Sequence, residues 1–312
     1  MNIGLNARFL SETSNGFGNH LANMVRALGA LDTDCQFLLY TRAALDPVIP
    51  ALPRQCRVIR CMLPAHADFD RCFVQSPEYL DNRPDILHVQ QFVFPEFARD
   101  DARRPPVTLM VHDMIPYVFT SPAMLLRHPS ALRFFSLHGL VSRHVYPAAA
   151  RKSAALFTIS EASRADIVRC LGLSPRTIHI VPNGLDPDFA QTTTDFDRAE
   201  TQARFGIDRP YMINFSGMTV RKNIDRLIAA WLSLPADFRT RHRLVITGEG
   251  TCRHKNLARL AHRRDHGILL PGRIGKQDLH ALLAGAVASA YVSIYEGFGL
   301  PILESLACGV PV

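Results

Sequence analysis

Short apolar runs recur along this chain and alternate with longer stretches of helical pattern, which is typical of parallel sheets built from strand–helix–strand units. The runs form two sets, and a turn and a helix-like segment follow each run of the second set. The first set lies at 3–7, 35–40, 57–62, 86–90, 107–111, 155–159 and 178–181, and the second at 211–215, 244–247, 268–270 and 288–293. The sequence therefore predicts an α/β fold of two doubly wound, Rossmann-like domains.

The length and one polar stretch indicate where the two domains meet. The 312 residues exceed the roughly 150 that one domain commonly takes. Between the two sets of runs, 182–197 holds two prolines, a Gln-Thr-Thr-Thr run and little apolar content, which favours a linker. We place the domains at 1–190 and 191–312. Because parallel sheets bind ligands at the carboxyl ends of their strands, we expect the two domains to face a cleft that holds the chemistry.

The composition is that of a globular chain, with 47% hydrophobic and 20% charged residues. No apolar run approaches the roughly 18 residues that span a bilayer, and the first residues show no secretory leader. We therefore expect a cytoplasmic protein. The seven cysteines include no CxxC pair, so we expect reduced thiols and no zinc site.

The charge balance favours anionic partners. The chain has 35 Lys and Arg against 28 Asp and Glu, a formal charge of +7, which suits phosphates, nucleic acid or acidic lipid. The excess is dispersed along the chain, and no aromatic and basic pattern of a nucleic-acid module is present. We therefore expect no nucleic-acid partner.

The segment 295–311 is the most informative part of the chain, because it follows an apolar run and opens a helical pattern. Gly297 and Gly299 allow the backbone to approach a ligand closely. A helix beginning near Leu300 would direct N–H groups and its positive dipole end toward that ligand, an environment suited to phosphate. An ordinary strand–loop–helix with a glycine turn is the alternative.

Two carboxylates lie in this segment, Glu296 in the loop and Glu304 on the second helical turn, so both can reach one ligand. The segment closely resembles the EGFGLPxLE signature of retaining glycosyltransferases with the GT-B fold, the large family four in particular. The resemblance implies that Glu296 holds donor sugar hydroxyls beside the anomeric carbon and that Glu304 binds the ribose hydroxyls. It also implies that the backbone of Phe298, Gly299 and Leu300 contacts the sugar and the phosphate.

A second candidate element, 216–223 (SGMTVRKN), follows the first apolar run of the second domain and resembles the glycine-to-RKN loop of the same family. A departing nucleoside diphosphate gains negative charge, and Arg221 and Lys222 would stabilise that charge without a metal ion. An adjacent Arg-Lys pair is otherwise commonly a solvated surface pair. Gly217 belongs to this donor-binding loop, and Met218 stands where many relatives carry a further arginine. We expect no metal or other cofactor.

The position of the two loops offers a check that does not depend on the family. In a doubly wound sheet of order 3-2-1-4, the first and fourth strands flank the point where the winding reverses, and ligands bind there. The loop with Arg221 and Lys222 leaves the first strand of the second domain, and the loop with Glu296 leaves the fourth. We therefore expect both loops to converge on one crevice.

The first domain supplies further candidates. Gly16 and Gly18 lie in 15–19 (NGFGN), between the first strand and the first helix, where the family carries a glycine-rich loop near the donor phosphates and the acceptor. The full GxGxxG fingerprint of dinucleotide sites is absent. His112 and Asp113 follow a predicted strand and match the family's His-Asp pair. The resemblance implies that His112 contacts the sugar or the acceptor, and a structural role is the alternative.

Other matches to the family are mainly architectural. Ser160 opens a helical pattern as an N-cap and could line the cleft, and 183–184 (NG) is typical of a turn. The loops at 247–250 and 270–273 resemble those whose backbone meets the nucleotide base. Arg273 in the second of these loops is a further donor-binding candidate.

The stretch 124–152 mixes basic and apolar residues. It could dock on anionic lipid at the inner face of the membrane, or it could form an amphipathic helix that faces the core. Peripheral membrane contact and core packing both stay open.

Together with the composition, the resemblance implies transfer of a hexose, with retention, from a nucleotide-diphosphate sugar to a glycan or lipid-linked acceptor in polysaccharide biosynthesis. GDP-mannose is the first choice of donor and UDP-glucose the next. A glycan phosphorylase would need a lysine-bound pyridoxal site and a far longer chain. A nucleotide-sugar epimerase of this fold would lack the EGFGLPxLE loop.

In the family, two more strands and a closing helix follow the position of Val312. We therefore expect the second domain to be incomplete, with 288–293 as an apolar edge strand that favours association. An inactive or binding-only shortened homologue is the alternative to an active transferase.

Overall fold

The computed structural model describes residues 1–11, 16–42, 52–90, 93–119, 121, 124, 126, 137–186, 189, 195–217, 219–248 and 266–312. The chain forms two compact units, Met1–Gly184 and Leu185–Val312. Each unit contains one parallel sheet with helices between its strands. The α/β class predicted from the alternating apolar runs is confirmed.

The strands of the first unit are β1 (Asn2–Asn6), β2 (Gln36–Thr41), β3 (Cys56–Arg60), β4 (Ile86–Gln90), β5 (Val107–Val111), β6 (Ala155–Thr158) and β7 (Ile178–Ile180). They form one sheet of order β3-β2-β1-β4-β5-β6-β7, in which every neighbouring pair is parallel. The winding reverses between β1 and β4, so the carboxyl ends of these strands flank the point where such sheets bind ligands.

The helices that the structure describes in the first unit are α1 (Gly16–Gly29), α2 (Phe69–Cys72), α3 (Pro77–Asp81), α4 (Ile115–Phe119), α5 (Leu137–Lys152) and α6 (Glu161–Leu171). Successive side chains of a strand point to opposite faces of the sheet and so pack in two different cores. In β2, Leu39 packs with Leu21 and Val25 of α1, whereas Leu38 and Tyr40 belong to the core on the other face. Both faces of the sheet are therefore covered, which is why its strands are continuous apolar runs in the sequence.

The second unit contains β8 (Tyr211–Asn214), β9 (Arg243–Thr247), β10 (Ile268–Gly272) and β11 (Ala288–Ser289), with the helices α7 (Asp195–Arg204), α8 (Ile224–Leu232), α9 (Ala236–Arg241), α10 (Lys276–Ala284) and α11 (Leu300–Ala307). The described sheet is parallel and has the predicted 3-2-1-4 order, β10-β9-β8-β11. Leu244 and Ile246 pack with Trp231 on one face, and Val245 packs with Leu282 on the other. This sheet is also covered on both faces.

The division after Gly184 lies a few residues before the predicted boundary near 190. Phe189 is 4% exposed and packs with Tyr211 in a core of the second unit, so this part of the predicted linker belongs to a folded unit. Other linker residues, 187–188 and 190–194, lie outside the described residues. The assignment of acceptor and donor to the first and second domain stays a prediction.

The stretch 124–152 is described only in part, because 127–136 lies outside the described residues and α5 covers the remainder. Among the helices that the structure describes, none is long and apolar enough to cross a membrane. Contact with a membrane surface stays a prediction. The cysteines in the described ranges are free thiols, and Cys252 lies outside those ranges.

Candidate active site

The loop after β8 is shaped by Asn223, which ends the 3-10 turn Val220–Lys222 and begins α8 with a left-handed φ of 59°. Asparagine tolerates this conformation better than most residues do. Its amide Nδ2 donates to the Val292 carbonyl at 3.1 Å, and the Ile294 N–H donates to the Arg221 carbonyl at 2.8 Å. The loop with the Arg-Lys pair is therefore fastened to the segment that follows β11.

The same contacts explain why β11 is shorter than the predicted strand 288–293. The Ala290 carbonyl accepts from Asn214 Nδ2 at 2.7 Å, and the Val292 carbonyl accepts from Asn223. The Ala290 N–H still donates to the Ile213 carbonyl of β8 at 2.8 Å, but side-chain amides bind the carbonyls of Ala290 and Val292. The prediction of a strand through 293 was wrong, because apolar content does not reveal that side chains will bind these carbonyls.

Two glycines allow the backbones after β8 and β9 to lie close together. Gly217 and Gly248 have φ of 75° and 124°, and a Cβ atom on Gly248 would lie 2.7 Å from the Gly217 nitrogen. The backbones after β8 and β9 therefore pass so closely that Gly248 does not tolerate a side chain without movement, and Gly217 has a backbone conformation that favours glycine. Met218, Glu249 and Gly250, which the sequence placed in these loops, lie outside the described residues.

The convergence of the Arg-Lys loop and the Glu loop, expected from strand order, is visible in the second unit. Glu296 pairs with the Arg221 guanidinium and with the Lys222 ammonium, the latter at 2.7 Å. Lys222 is 8% exposed, and its ammonium lies 5.6 Å from the centre of the Tyr291 ring. Arg221 and Lys222 are therefore not a solvated surface pair.

The electrostatics of this cluster favour an anion. Burial lowers the pKa of Lys222, although the Glu296 carboxylate opposes that effect. Burial also works to raise the pKa of Glu296, but the Lys222 ammonium and the Arg221 guanidinium outweigh it, and the pKa is lowered. Two cations against one carboxylate leave a net positive charge in a poorly solvated place, where charge interactions are stronger than in water.

Glu296 leads directly into α11 through Phe298 and Gly299. Gly299 is the N-cap and has a φ of 113°, a backbone conformation that favours glycine. A Cβ atom there would lie 3.3 Å from Ile302 Cδ1. Leu300 is the first residue of α11, so the predicted beginning of the helix is confirmed.

Glu304 lies on the second turn of α11 in a different environment. Burial, with a smaller contribution from Asp186, raises the pKa of Glu304 to about 7, and Lys276 opposes the shift. Asp186 itself pairs with the Lys276 ammonium. No ion pair between Glu304 and the Arg221–Lys222 pair occurs in the part of the chain that the structure describes. The structure thus brings together three of the four charged groups expected in one pocket.

Arg273 is exposed and follows β10. Because β10 is separated from β8 by β9, this side chain starts two strands away from the loop of Arg221 and Lys222. Its predicted contact with the donor stays a prediction.

In the first unit, His112 follows β5 and is 8% exposed. Its Nε2 lies 2.9 Å from Gln90 Oε1, and its ring meets Phe17 and His20 edge-on at centroid distances of 4.9 and 4.6 Å. Ser163 Oγ donates to the His112 carbonyl at 3.0 Å. Burial lowers the pKa of His112 to about 3, so the ring is neutral at physiological pH.

Near His112, the glycine motif lies in a different element from the one predicted, whereas the acceptor role of Asp113 stays a prediction. Asp113 Oδ1 accepts from the Ile115 N–H at 2.9 Å, so this carboxylate caps α4. Gly16 and Gly18 lie in the first turn of α1 rather than in a loop before it, because the helix already begins at Gly16. Asn15 of the same motif lies outside the described residues.

The helix cap predicted at Ser160 is confirmed, since its Oγ accepts from the Ser163 N–H at 3.0 Å. Sequence reasoning missed Gln90, which contacts His112. What could have indicated Gln90 is its position: it is a polar residue at the end of the apolar strand β4, where the winding of the first sheet reverses. Sequence reasoning also missed Lys276, the partner of Asp186, because nothing local marks a lysine that begins a helix.

The chain matches known protein families and relatives in sequence. Residues 14–189 match the family described as Glycosyltransferase Family 4, and residues 197–312 match Glycosyl transferases group 1. The O-antigen chain mannosyltransferase B of Escherichia coli is 32% identical over 159 residues, which are 50% of this chain and 42% of that protein. The MMP alpha-(1->4)-mannosyltransferase of Mycolicibacterium hassiacum is 28% identical over 231 residues, 73% of this chain and 52% of that protein.

Solved structures show the fold. WaaG, a glycosyltransferase involved in lipopolysaccharide biosynthesis, aligns over 100% of this chain and 80% of its own with a TM-score of 0.69 and 17% identity. Anabaena HepE in complex with UDP and glucose has a TM-score of 0.66, 17% identity and the same coverage. The chain therefore has the fold of these glycosyltransferases and spans about half the length, or less, of the two mannosyltransferases.

Proposed function

Since the chain belongs to glycosyltransferase family 4, we propose that it transfers a hexosyl group from a nucleotide-diphosphate sugar to an acceptor hydroxyl with retention of configuration. The observation that carries the proposal is the pairing of Glu296 with Arg221 and Lys222, on loops from neighbouring strands of one sheet. Such a cluster suits a reaction in which a diphosphate gains charge as it leaves.

The two cations are the groups that we assign to the diphosphate. Glu296 holds their head groups close together despite their mutual repulsion, and the net positive charge remains available to the phosphates. In the transfer, the bond between the anomeric carbon and the diphosphate oxygen breaks, and the acceptor oxygen bonds to that carbon on the same face. The acceptor proton passes to the leaving phosphate. We assign no carboxylate as a displacing nucleophile.

The remaining assignments concern the rest of the donor and the acceptor. Glu296 contacts the donor sugar, Phe298, Gly299 and Leu300 contact sugar and phosphate, and Glu304 binds the ribose hydroxyls. The donor site is also lined by Gly16, Gly18, Gly217 and Arg273. The sugar or the acceptor is contacted by His112 and Asp113. These roles rest on the family resemblance.

The identity of the donor is proposed from the relatives. Two relatives are mannosyltransferases, which supports mannose and GDP-mannose as the first choice. HepE binds UDP and glucose, which supports a nucleotide-sugar donor in general and UDP-glucose as the next choice. The O-antigen relative supports a glycan or lipid-linked acceptor in polysaccharide biosynthesis.

Donor hydrolysis tests the proposal without knowledge of the acceptor, because water then accepts the sugar. We expect the purified chain to release GDP from GDP-mannose, and Arg221→Ala and Lys222→Ala to reduce kcat/KM about 100-fold each, since each removes a cation from the departing diphosphate. Arg241→Ala, which removes an exposed arginine paired with Asp237, is the matched control.

Equal rates for both variants and the parent chain, with either GDP-mannose or UDP-glucose, would contradict the proposal. Binding of GDP without any release of sugar would instead support the binding-only alternative. Early formation of the α-anomer from GDP-mannose, followed by ¹H NMR before mutarotation, tests retention.

We also propose that the reaction needs no metal ion, because two protein cations already face the diphosphate. The expected result is an unchanged rate of GDP release after dialysis against EDTA. A rate that EDTA abolishes and Mg²⁺ restores would contradict this part of the proposal.

A further inference from the structure

A buried amide contacts His112 from the neighbouring strand. Gln90 is the last residue of β4, is 3% exposed, and places Oε1 2.9 Å from His112 Nε2. β4 and β5 are adjacent parallel strands, so their carboxyl ends bring these two side chains together. A glutamine this deeply buried normally has a specific partner, because an unpaired buried amide is costly.

The partner atoms determine which ring nitrogen carries the proton. An amide oxygen only accepts hydrogen bonds, so this contact requires the proton on His112 Nε2. Because burial lowers the pKa of His112 to about 3, the ring carries one proton at neutral pH. Nδ1 therefore has a lone pair and acts as an acceptor.

The surroundings hold the ring and leave Nδ1 accessible. Phe17 and His20 of α1 meet the ring edge-on. In the described part of the chain, Nδ1 is neither hydrogen bonded to protein nor among the fully buried atoms that lack a partner. Gln90 Nε2, by contrast, is a fully buried donor with no acceptor among the described residues. In this orientation, the hydrogen bond between Oε1 and His112 is the only side-chain hydrogen bond of Gln90 among the described residues.

We propose that Gln90 is a positioning residue for the sugar transfer, which holds His112 in the Nε2–H tautomer so that Nδ1 accepts a hydrogen bond from a substrate hydroxyl. This inference rests on the proposed function. It assigns Gln90 a role through His112 and not in direct contact with the reacting atoms.

The histidine rings near His112 carry no charge. Burial lowers the pKa of His20 on α1, and burial lowers the pKa of His88 on β4 to about 4, so both rings are neutral at physiological pH. The Asp113 carboxylate after β5 caps α4. A carboxylate at position 90 would place a negative charge in direct contact with the ring, so Gln90→Glu should raise the pKa of His112.

The tautomer can be measured directly on the full chain without substrate. We expect long-range ¹H–¹⁵N correlation spectra of the labelled protein, assigned with His112→Asn, to show a protonated Nε2 and an unprotonated Nδ1. Gln90→Met should mix the tautomers, while Gln90→Glu should keep the Nε2–H tautomer and move the His112 titration to higher pH. A protonated Nδ1 in the parent, or an unchanged tautomer in Gln90→Met, would overturn the inference.

The rate of GDP release provides a second test of the proposal. Gln90→Met should lower kcat for GDP release from GDP-mannose on the order of 10-fold, the equivalent of one hydrogen bond, with little change in KM. Gln90→Glu should retain most of the rate, with a shifted pH profile. Gln75→Met is the control, because Gln75 is exposed and its amide donates to the Glu96 carbonyl rather than contacting His112.

The two proposals fail in different ways. A parent chain with the Nε2–H tautomer but no release of GDP or UDP would overturn the proposed function, and with it the substrate role of Nδ1, while the pairing of Gln90 with His112 would stand. An active parent whose rate is unaffected by a changed tautomer in Gln90→Met would overturn the positioning role alone.

Discussion

At the scale of single residues, the two carboxylates of the EGFGLPxLE segment have opposite electrostatics. Glu296 faces two cations, which lower its pKa, whereas burial beside Asp186 raises the pKa of Glu304 to about 7. The motif defines the spacing of the two carboxylates, but groups distant in the chain set their charge states. Glu296 is therefore ionised at neutral pH, and Glu304 is close to its titration midpoint.

Glu304 makes stability depend on pH. Its pKa rises from 4.5 to about 7 on folding, so the folded state binds the proton more tightly, and stability is lost as the pH rises from 4.5 through 7. Glu304→Gln cannot ionise. Relative to this variant, the parent should therefore lose on the order of 2–3 kcal/mol of unfolding free energy over that range.

Urea unfolding at pH 5 and pH 8 measures the effect, with Glu200→Gln on the exposed surface of α7 as the control. A difference between parent and Glu304→Gln that is the same at both pH values would contradict this prediction.

At the scale of elements, the site in the second unit depends on how two loops are joined. Asn223 holds a left-handed turn and binds the carbonyl of Val292, and Ile294 returns a hydrogen bond to Arg221. The Arg-Lys pair and Glu296 therefore meet because backbone and amide contacts align their loops, and not only through their own charges.

Substitutions at Asn223 separate the two functions of this residue. Asn223→Gly keeps the left-handed backbone but loses the bond to Val292, and we expect a loss of about 1 kcal/mol. Asn223→Ala also strains the backbone, and we expect a total loss of about 2–3 kcal/mol. Equilibrium denaturation measures both, and an Ala variant as stable as the Gly variant would show that the turn conformation contributes nothing.

At the scale of the whole molecule, each unit has its own sheet and its own core. Tryptophan fluorescence reports on the second unit. The chain contains a single tryptophan, Trp231, which is buried in the second unit and donates to the His266 carbonyl at 2.7 Å. Its fluorescence therefore follows the unfolding of the unit that holds the proposed diphosphate site.

Binding of GDP should raise the midpoint of this fluorescence transition, because a ligand that binds only the folded state stabilises it by about 2.7 kcal/mol at 100 times its Kd. We expect the shift to disappear in Lys222→Ala and to persist in Arg241→Ala. A midpoint that GDP leaves unchanged in the parent would argue against a nucleotide-diphosphate site in this unit.

Much of the fold was predictable because it depends on local patterns. Strands buried on both faces are apolar runs, and the beginning of α11 is marked by glycine and proline next to Leu300. The length of β11 was not predictable, since its end depends on Asn214, a residue from another strand. The units divide after Gly184 rather than near residue 190. Phe189 belongs to the second unit through a tertiary contact in its core, which the sequence does not reveal.

The sequence by itself determined the two sets of strands, their α/β class and the loops that carry the charged residues, because periodicity and short motifs are local properties. Only the tertiary structure decided that Glu296 pairs with Arg221 and Lys222 and that Gln90 meets His112. These pairs join residues from different strands, and a parallel sheet brings them together only when its strands align. Their charge and proton positions follow from burial and from neighbouring charges, which no local pattern reports.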